Sequence, residues 1–489
     1  MKKVLFASSE CVPFIKTGGL ADVVGSLPKC FDKRYYDVRV ILPKYSCMKQ
    51  QWKDMMQYKT HFYMDFAGQS QYVGVLECVY DGITFYFIDN EHYFTGDKPY
   101  TEHHWDIEKF MYFDRAVLSA LPLLDFRPDV IHCHDWQTGL IPVYLHDSFA
   151  GGDFFRGIKT VMTIHNLKFQ GNDGVEQFKR ISGLSDYYFT IDKLRTGVDG
   201  NMLKGGLVYA DAITTVSNTY AEEIKTQFYG EGLDGLMRAR ANDLRGIVNG
   251  IDYDANNPET SKKIYANFSA EDLTGKAKNK AQLQKDLGLP VRPDVPVFSI
   301  ISRLVEQKGI NLVLQAAGEL LSKDVQLVIL GTGDYTYENM FKDLAYRYPD
   351  KVSANILFDD ALSQKIYAAS DFFLMPSLFE PCGLGQLFAM SYGTIPVTRT
   401  TGGLVDTVKV YNPEIGEGNG FQFQDYDANG LMWAINEGLK IYADKAQWNK
   451  VVHNAIETRF SWDRSAKEYI DVYNKILEEH PQEKEEEEN

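Results

Sequence analysis

The sequence predicts an α/β protein made of two doubly wound parallel-sheet domains that face a deep cleft. The chain has 489 residues, which is too long for one hydrophobic core and indicates two to four domains. Short, continuously apolar runs alternate with helical patterns, as in parallel sheets that helices cover on both faces. The alternation stops near residue 253 and starts again near residue 294, so two such domains are expected.

The N-terminal domain is predicted to span residues 1–252. After a first strand in VLFASSE, its strand-like runs are VRVILP (38–43), DVIHCHD (129–135), KTVMTIHN (159–166), DAITTVS (211–217) and LRGIVNG (244–250). Residues 71–88 contain two further runs around Asp81-Gly82, a dipeptide that favours tight hairpin turns. A local hairpin is therefore expected to interrupt the alternation.

A polar, turn-rich region at 253–293 is predicted to link the two domains, with one helix at about 276–287. The C-terminal domain is expected at 294–460, with strands in PVFSIISR, VQLVILG, VSANILF, DFFLMPS and TIPVTRT. Residues 461–480 are predicted to form a helix that packs back toward the N-terminal domain. Residues 481–489 are predicted to be an acidic, disordered tail.

The composition argues against several classes of partner. A formal net charge of −16 disfavours nucleic acid and anionic membranes, because both call for a basic protein face. No apolar stretch approaches the ~20 residues of a membrane span, and the N-terminal apolar run is too short for a signal peptide. The six cysteines lack C-x-x-C spacing and are typical of reduced thiols in a cytoplasmic protein.

Candidate ligand-binding residues follow predicted strands in both domains. Ligands of open α/β sheets collect at the carboxyl ends of the strands, so these positions are expected to share one site. The candidates are Lys16, Gly18, Gly19, Asp135, His165 and Asn166 in the N-terminal domain, and Arg303, Lys308, Glu380, Gly402 and Gly403 in the C-terminal domain. Each alone has an ordinary explanation as a solvated cation, a capping carboxylate or a turn glycine. Their joint position favours a site.

The residue types at these positions suit an anionic ligand. Arg303 and Lys308 stand five residues apart in SRLVEQKG, where a guanidinium fork and an ammonium point charge could clamp a diphosphate. Adjacent glycines at the start of a helix, as in KTGGL and TTGGL, expose backbone N–H groups to anions. His132 and His134 of HCHD share one strand face, but no further ligand motif accompanies them, so no metal is expected.

Several motifs together resemble one family. They are KTGGLADVVGSLPK, HCHDWQTGL, HNLKFQG, YADAITTVS, NGID, SRLVEQKG, FEPCGLGQ and GTIPVTRTTGGLVDTV. In this order and spacing they resemble the bacterial glycogen synthases, in the family of retaining glycosyltransferases that also contains plant starch synthases. The resemblance extends from residue 1 to about residue 478.

The resemblance implies the GT-B fold, in which two Rossmann-like domains face a cleft. The implied reaction transfers glucose from ADP-glucose to the non-reducing end of an α-1,4-glucan such as glycogen, with retention of the anomeric configuration. The resemblance implies no metal and no other cofactor. The residues themselves do not distinguish ADP from UDP as the carrier, since Phe358 could stack on either base, and they do not indicate an oligomeric state.

The resemblance also implies roles for individual residues. The implied catalytic residues are Asp135 and His165 around the transferred glucose, with His165 at its primary hydroxyl, Arg303 and Lys308 at the departing diphosphate, and Glu380 at the glucosyl ring. The implied substrate-binding residues are Lys16, Thr17, Gly18, Gly19, Tyr100, Asn166, Asn249, Phe358, Cys382, Gly383, Thr401, Gly402 and Gly403. Among these, Phe358 would lie against the adenine, and the glycine amides would surround the phosphates.

Alternative functions make different demands on the sequence. A retaining hydrolase needs two carboxylates about 5–5.5 Å apart, and Glu380 has no evident partner, which favours a mechanism without a protein nucleophile. A phosphorylase would need a lysine that holds pyridoxal phosphate, and no motif presents one. A non-catalytic glucan-binding homologue would tend to lose its charged site residues, whereas this chain keeps them.

Overall fold

The computed structural model describes residues 1–478; the predicted tail at 481–489 and the last two residues of the 461–480 segment lie outside these described residues. The chain forms two compact units. Of the described residues, 1–216, 221–247 and 462–478 form the N-terminal unit, and 217–220 and 248–461 form the C-terminal unit.

Within residues 1–478, the N-terminal unit contains twelve strands and nine helices, and helix α7 crosses the boundary near residue 220. The strands are β1 (Lys2–Ala7), β2 (Tyr36–Pro43), β3 (Gln57–Phe66), β4 (Gln69–Tyr80), β5 (Ile83–Asp89), β6 (Val130–His134), β7 (Lys159–Ile164), β8 (Asn172–Gly174), β9 (Arg195–Thr196), β10 (Asp199–Asn201), β11 (Ala212–Thr215) and β12 (Leu244–Gly246). The helices are α1 (Gly19–Ser26), α2 (Gln50–Lys53), α3 (His103–Ala120), α4 (Leu140–His146), α5 (Val175–Ser182), α6 (Met202–Tyr209), α7 (Asn218–Glu223), α8 (Asp234–Ala239) and the C-terminal α17 (Trp462–Glu478).

A nine-stranded sheet forms the centre of the N-terminal unit, in the order β12-β11-β7-β6-β1-β2-β5-β4-β3. The strands from β12 to β5 are parallel, and β4 and β3 are antiparallel additions at one edge. The hairpin at Asp81-Gly82 is confirmed, with both residues at positive φ (49° and 73°). The β3–β4 hairpin was not predicted, because β3 alternates polar and apolar residues at a sheet edge.

The C-terminal unit has six strands in one parallel sheet. The strands are β13 (Val297–Ile301), β14 (Gln326–Leu330), β15 (Val352–Asn355), β16 (Phe372–Met375), β17 (Ile395–Arg399) and β18 (Phe421–Phe423), and the helices are α9 (Thr274–Asp286), α10 (Ile310–Ser322), α11 (Tyr335–Arg347), α12 (Asp360–Ala369), α13 (Gly385–Ser391), α14 (Gly402–Thr407), α15 (Ala428–Ala443) and α16 (Lys445–Glu457). The strand order is β15-β14-β13-β16-β17-β18. The predicted helix at about 276–287 corresponds to α9.

The predicted α/β class with two doubly wound parallel sheets is confirmed. The central strands are apolar on both faces, as in VLFA of β1 and QLVIL of β14, since helices cover both sides of each sheet. Their side chains are almost completely buried, and each large one contributes roughly 1.5–3 kcal/mol to folding by leaving water. No helix in residues 1–478 is both long and apolar enough to cross a membrane.

Each sheet has a topological switch point, where successive strands are added on opposite sides of a central strand. In the N-terminal unit β1 lies between β2 and β6, and in the C-terminal unit β13 lies between β14 and β16. The loops after β1 and β6, and after β13 and β16, leave their sheets toward opposite sides and open a crevice at the carboxyl edge. Most of the predicted site residues stand in these four loops.

Candidate active site

The loop after β1 is organised by a buried carboxylate, Glu10, which is 3% exposed. Its Oε1 accepts hydrogen bonds from Thr17 Oγ1 at 2.6 Å and from the Tyr100 hydroxyl at 2.5 Å. Its Oε2 accepts from the backbone N–H groups of Thr17 and of Gly18, the latter at 3.3 Å. Glu10 therefore joins the KTGGL loop to the segment that carries Tyr100.

The KTGGL loop was expected to direct its glycine N–H groups at phosphate, and the structure differs from this expectation. The N–H groups of Thr17 and Gly18 donate to Glu10, so the protein itself engages the Gly18 amide, which was expected to face phosphate. The Lys16 ammonium lies 2.8 Å from Asp22 on the exposed side of the loop. A Cβ added to Gly18 would meet no atom within 4 Å, and Gly19 begins α1. Packing inside the protein does not require a glycine at position 18.

Asp135 follows β6 in a strained backbone conformation, with φ 59° and ψ −175°. Its N–H donates to the carbonyl of Thr163 at 2.9 Å, which ties it to the neighbouring strand β7. Its Oδ1 accepts from the backbone N–H groups of His165 at 2.6 Å and of Asn166 at 3.4 Å. Burial raises the pKa of Asp135 to about 7, and the nearby charge of Glu10 adds to this increase. The two backbone hydrogen bonds act in the opposite direction and lower the pKa.

His165 is the partly exposed end of a row of three histidines. Its Nε2 lies 2.9 Å from Nδ1 of His134, and burial lowers the pKa of His165 to about 3, so the ring is neutral. His132 uses both ring nitrogens, at 2.7 Å from the Tyr473 hydroxyl of α17 and at 2.5 Å from Thr163 Oγ1. Across residues 1–478, no group of three or more His, Cys, Asp or Glu side chains is arranged to hold a metal.

In the C-terminal unit, the loops after β13 and β16 bring Lys308 to Glu380. The Lys308 ammonium lies 2.7 Å from Oε2 of Glu380, and the Ser377 hydroxyl donates to the same oxygen at 2.9 Å. Glu380 is 5% exposed. Arg303, two residues past the end of β13, is exposed, and within the described chain its guanidinium forms no ion pair.

Gly402 and Gly403 let the Glu380 loop approach the start of α14. Gly402 has φ +47°, and a Cβ there would lie 1.9 Å from the carbonyl oxygen of Glu380. The Gly403 N–H donates to the carbonyls of Glu380 and Pro381 at 3.1 Å each. These glycines are therefore required by close backbone packing, and the Gly403 amide that was expected to face phosphate is engaged by the protein.

Cys382 and Asn249 lie together beside this loop. The Cys382 thiol is buried, which raises its pKa to about 12, and it receives a hydrogen bond from the backbone of Asn249. The Asn249 side-chain oxygen is buried and finds no hydrogen-bond partner within residues 1–478. A buried amide oxygen without a partner is costly, so it is a candidate acceptor for a ligand.

The remaining predicted residues of this unit lie at the same sheet edge. The Gly383 carbonyl accepts from the Gln386 side chain at 2.9 Å. Thr401 is buried, and its N–H donates to the Arg399 carbonyl at 3.1 Å. Phe358 stands between β15 and α12 and is 83% exposed. The unit thus presents a lysine–glutamate pair, a free arginine and an exposed aromatic ring along one edge.

Two residues that position the predicted ones were missed from the sequence. Glu10 ends the VLFASSE run, and a carboxylate that follows a strand, eight residues before the first of two glycines, was a usable signal for loop organisation. His134 was considered only as a metal ligand, although it contacts His165. The spacing of HCHD and HN in the sequence carries no sign that the two rings meet across neighbouring strands.

Comparison with known proteins identifies the class: the chain is a glycosyltransferase of the GT-B fold. The family model described as "Starch synthase catalytic domain" matches residues 3–239, and the model described as "Glycosyl transferases group 1" matches residues 284–455. A sucrose-phosphate synthase of Thermosynechococcus elongatus shares the fold, with a TM-score of 0.63 at 17% identity over 98% of this chain and 100% of that one.

The chain belongs to the glycogen synthase family. It is 57% identical to a glycogen synthase of Lachnospira eligens and 54% identical to one of Lachnoclostridium phytofermentans, in each case over 97% of this chain and 100% of the relative. A solved structure of the catalytic domain of starch synthase IV from Arabidopsis thaliana, bound to ADP and acarbose, has a TM-score of 0.91 at 34% identity. That likeness covers 98% of this chain and 99% of the other. The predicted family and the GT-B fold are confirmed.

Proposed function

We propose that the protein transfers glucose from ADP-glucose to the non-reducing end of an α-1,4-glucan and retains the anomeric configuration. The observation that carries this proposal is the Lys308–Glu380 pair beside Arg303, at the switch point of the C-terminal sheet. The ADP held by the related starch synthase IV structure supports adenosine diphosphate as the leaving group.

The cations have a specific task in this reaction. When the glycosidic bond breaks, negative charge moves onto the diphosphate, so fixed positive groups stabilise the transition state more than the ground state. Arg303 is exposed at the sheet edge, and its planar fork suits two phosphate oxygens. Lys308 is held in place by Glu380, so it is oriented before the donor arrives.

Glu380 is suited to hold the sugar and poorly suited to attack it. Lys308 and Ser377 both hydrogen-bond to Oε2, which reduces the nucleophilicity of the carboxylate and leaves Oε1 for the hydroxyls of the glucosyl ring. We therefore assign retention to a front-face mechanism, in which the acceptor hydroxyl attacks from the side that the diphosphate leaves. The departing phosphate oxygen takes the proton of that hydroxyl, and no protein–sugar bond forms.

The N-terminal unit supplies the groups around the transferred glucose. A neutral His165 hydrogen-bonds to the primary hydroxyl of the sugar, and Asp135 orients His165 through its backbone N–H. The loop held by Glu10 presents Lys16 to the donor phosphates.

An assay with purified protein tests this proposal. Radiolabelled ADP-glucose and UDP-glucose are offered with glycogen, and the linkage and anomeric form of the added glucose are determined by digestion with an exo-acting α-glucosidase. Transfer from ADP-glucose into α-1,4 linkage is expected. No transfer from either donor would contradict the catalytic proposal, and a preference for UDP-glucose would contradict the choice of leaving group.

A further inference from the structure

Two imidazole rings, His134 and His165, meet by a direct nitrogen–nitrogen contact of 2.9 Å. We infer that His134 is a positioning residue that holds the proton of His165 on Nδ1, so that His165 offers a hydrogen-bond donor to the transferred sugar. The sugar contact rests on the proposed function. The proton position is a property of the free protein and is independent of it.

The two rings come from neighbouring parallel strands. His134 is the last residue of β6, and His165 directly follows β7. The His134 ring is stacked against Phe6 at 5.4 Å and against His132 at 4.2 Å between ring centroids, with interplanar angles of 23° and 27°. Phe6 and His132 also contact each other, with 4.8 Å between ring centroids, so the three rings form one buried cluster. This packing restricts rotation of the His134 ring, and its Nδ1 stays directed at His165.

One proton must lie between the two nitrogens, and it belongs to one ring or the other. Burial lowers the pKa of both rings below the ordinary value, so each ring is neutral and carries a single N–H. If His165 donates from Nε2, His134 must carry its own proton on Nε2. If His134 donates from Nδ1, His165 must carry its proton on Nδ1.

The surroundings of His134 decide between these two arrangements. Nε2 of His134 is buried and has no hydrogen-bond partner in the described part of the chain. A proton there would be a buried donor without an acceptor, and such orphaned N–H groups are rarer and costlier than unused lone pairs. The proton of His134 therefore lies on Nδ1, and the proton of His165 lies on its own Nδ1.

His132 belongs to the same row without sharing this function. Its two nitrogens are occupied by the Tyr473 and Thr163 hydroxyls, and it contacts His134 only face to face. His132 therefore supports the position of His134 and does not set the tautomer of His165. It lies on the same strand and the same face and is fully buried, which makes it a matched control.

The tautomer has a chemical consequence for the donor sugar. An Nδ1–H group requires an acceptor, and the oxygen of the primary hydroxyl provides one. A 6-deoxy-6-fluoro donor keeps a weak acceptor at this position, whereas a 6-deoxy donor has none. The wild-type protein should therefore bind the ADP-linked fluoro sugar about 2- to 3-fold more tightly than the deoxy sugar, the lower end of what one hydrogen bond contributes.

Ring-nitrogen NMR of the full chain tests the proton position directly. The histidines are labelled with ¹⁵N, and the His165 signals are assigned by their absence in His165→Gln. Nδ1 of His165 should have the chemical shift of a protonated ring nitrogen, and Nε2 that of an unprotonated one. The reverse pattern in the wild-type protein would overturn the inference. This readout needs neither donor nor glucan, so a failure of the proposed function does not affect it.

Variants of His134 test the positioning role. His134→Phe keeps a packed ring but removes the donor, and the preference for fluoro over deoxy sugar should fall to about 1. His134→Asn places an amide N–H near the position of Nδ1 and should restore most of the preference, and His132→Asn should keep it. A folded His134→Phe protein that retains the wild-type preference would overturn the inference, as would a loss of preference in His132→Asn alone.

Discussion

The Lys308 ammonium lies 2.7 Å from Oε2 of Glu380, and the glutamate side chain is only 7% exposed. Arg303, on the same loop after β13, is exposed and has no such partner in the part of the chain described by the structure. The two cations therefore differ in what they do for the folded protein, although both are proposed to act on diphosphate.

This difference predicts unequal effects on stability. Lys308→Ala leaves Glu380 buried without its counter-ion and should reduce the free energy of unfolding by about 1–3 kcal/mol. Arg303→Ala removes an exposed side chain and should change it by less than about 0.5 kcal/mol. Urea unfolding of both variants beside the wild type measures the difference. Equal stabilities would show that the Lys308–Glu380 pair contributes nothing to the fold.

The contacts of Glu10 predict that it controls the geometry of the donor loop. Glu10→Gln removes the carboxylate charge and replaces one of its two acceptor oxygens by an NH2 donor. The two amides and the two hydroxyls that donate to Glu10 can then no longer all keep their acceptor. We expect the donor KM to rise about 10-fold and the free energy of unfolding to fall by about 1–3 kcal/mol. Steady-state kinetics at saturating glycogen and urea unfolding measure the two effects.

Asp22→Asn provides the control for Glu10→Gln. It removes the partner of Lys16 on the exposed side of the same loop and should leave stability within about 0.5 kcal/mol of wild type. A Glu10→Gln protein that resembles Asp22→Asn in both KM and stability would contradict the organising role of Glu10.

The glycines of the two helix starts should respond differently to an added methyl group. At Gly402 the new Cβ would lie 1.9 Å from the Glu380 carbonyl at φ +47°, so Gly402→Ala should unfold more easily by about 1–3 kcal/mol. At Gly18 the Cβ would meet open space, so Gly18→Ala should keep its stability. If Gly18→Ala loses activity, the added methyl group must hinder binding of ADP-glucose, and the KM for ADP-glucose should rise.

Gly318→Ala serves as a reference for these variants. Gly318 lies inside α10, and an added Cβ meets nothing within 4 Å, so alanine should stabilise the protein by roughly 0.5–1 kcal/mol. Thermal unfolding of the three variants gives the order Gly318→Ala, Gly18→Ala, Gly402→Ala from most to least stable. A Gly18→Ala protein as unstable as Gly402→Ala would mean that the KTGGL glycine serves packing.

Asp135 should make stability depend on pH. Its pKa is raised from 3.8 to about 7 by burial, so between these values the folded state keeps a proton that the unfolded state has lost. The carboxyl therefore favours folding at low pH, and this contribution is lost as the pH rises toward 7. Asp135→Asn cannot ionise, so its stability relative to wild type should increase with pH.

Urea unfolding at about pH 5 and about pH 8 measures this effect, with an expected relative gain for Asp135→Asn on the order of 1–3 kcal/mol at the higher pH. Asn retains an oxygen that can accept the His165 and Asn166 N–H groups, so the backbone contacts are conserved in this comparison. A constant difference between the two proteins across this range would show that Asp135 is already ionised in the folded state at the lower pH.

The sequence was sufficient for the fold class because the central strands of both sheets are short and continuously apolar, a pattern typical of parallel sheets with two covered faces. The same rule missed β3, since an edge strand that faces solvent carries tyrosines and polar residues in alternation. The helix predicted at 461–480 is observed as α17, which begins at Trp462.

The candidate site was predictable as residue types at strand ends, and its internal contacts were not. The Glu10 carboxylate accepts hydrogen bonds from Thr17, Gly18 and Tyr100, and this requires a contact between residues 90 positions apart in the sequence. The pairing of His134 with His165 depends on the register of β6 against β7. Such long-range contacts leave no periodic pattern in one sequence. Only the structure shows that two backbone amides expected to bind phosphate have protein acceptors: the Gly18 N–H donates to Glu10, and the Gly403 N–H donates to backbone carbonyls.

The stabilisation of the departing diphosphate by Arg303 and Lys308 is tested most directly by single-turnover transfer from ADP-glucose to glycogen in Arg303→Ala, whose fold should be intact. The rate of transfer at saturating donor should fall by ~100- to 1,000-fold, while the affinity for glycogen, measured by native gel retardation, stays within about 3-fold of wild type. A wild-type rate in this variant, or an equal loss of rate and of glycogen affinity, would contradict a role at the leaving group.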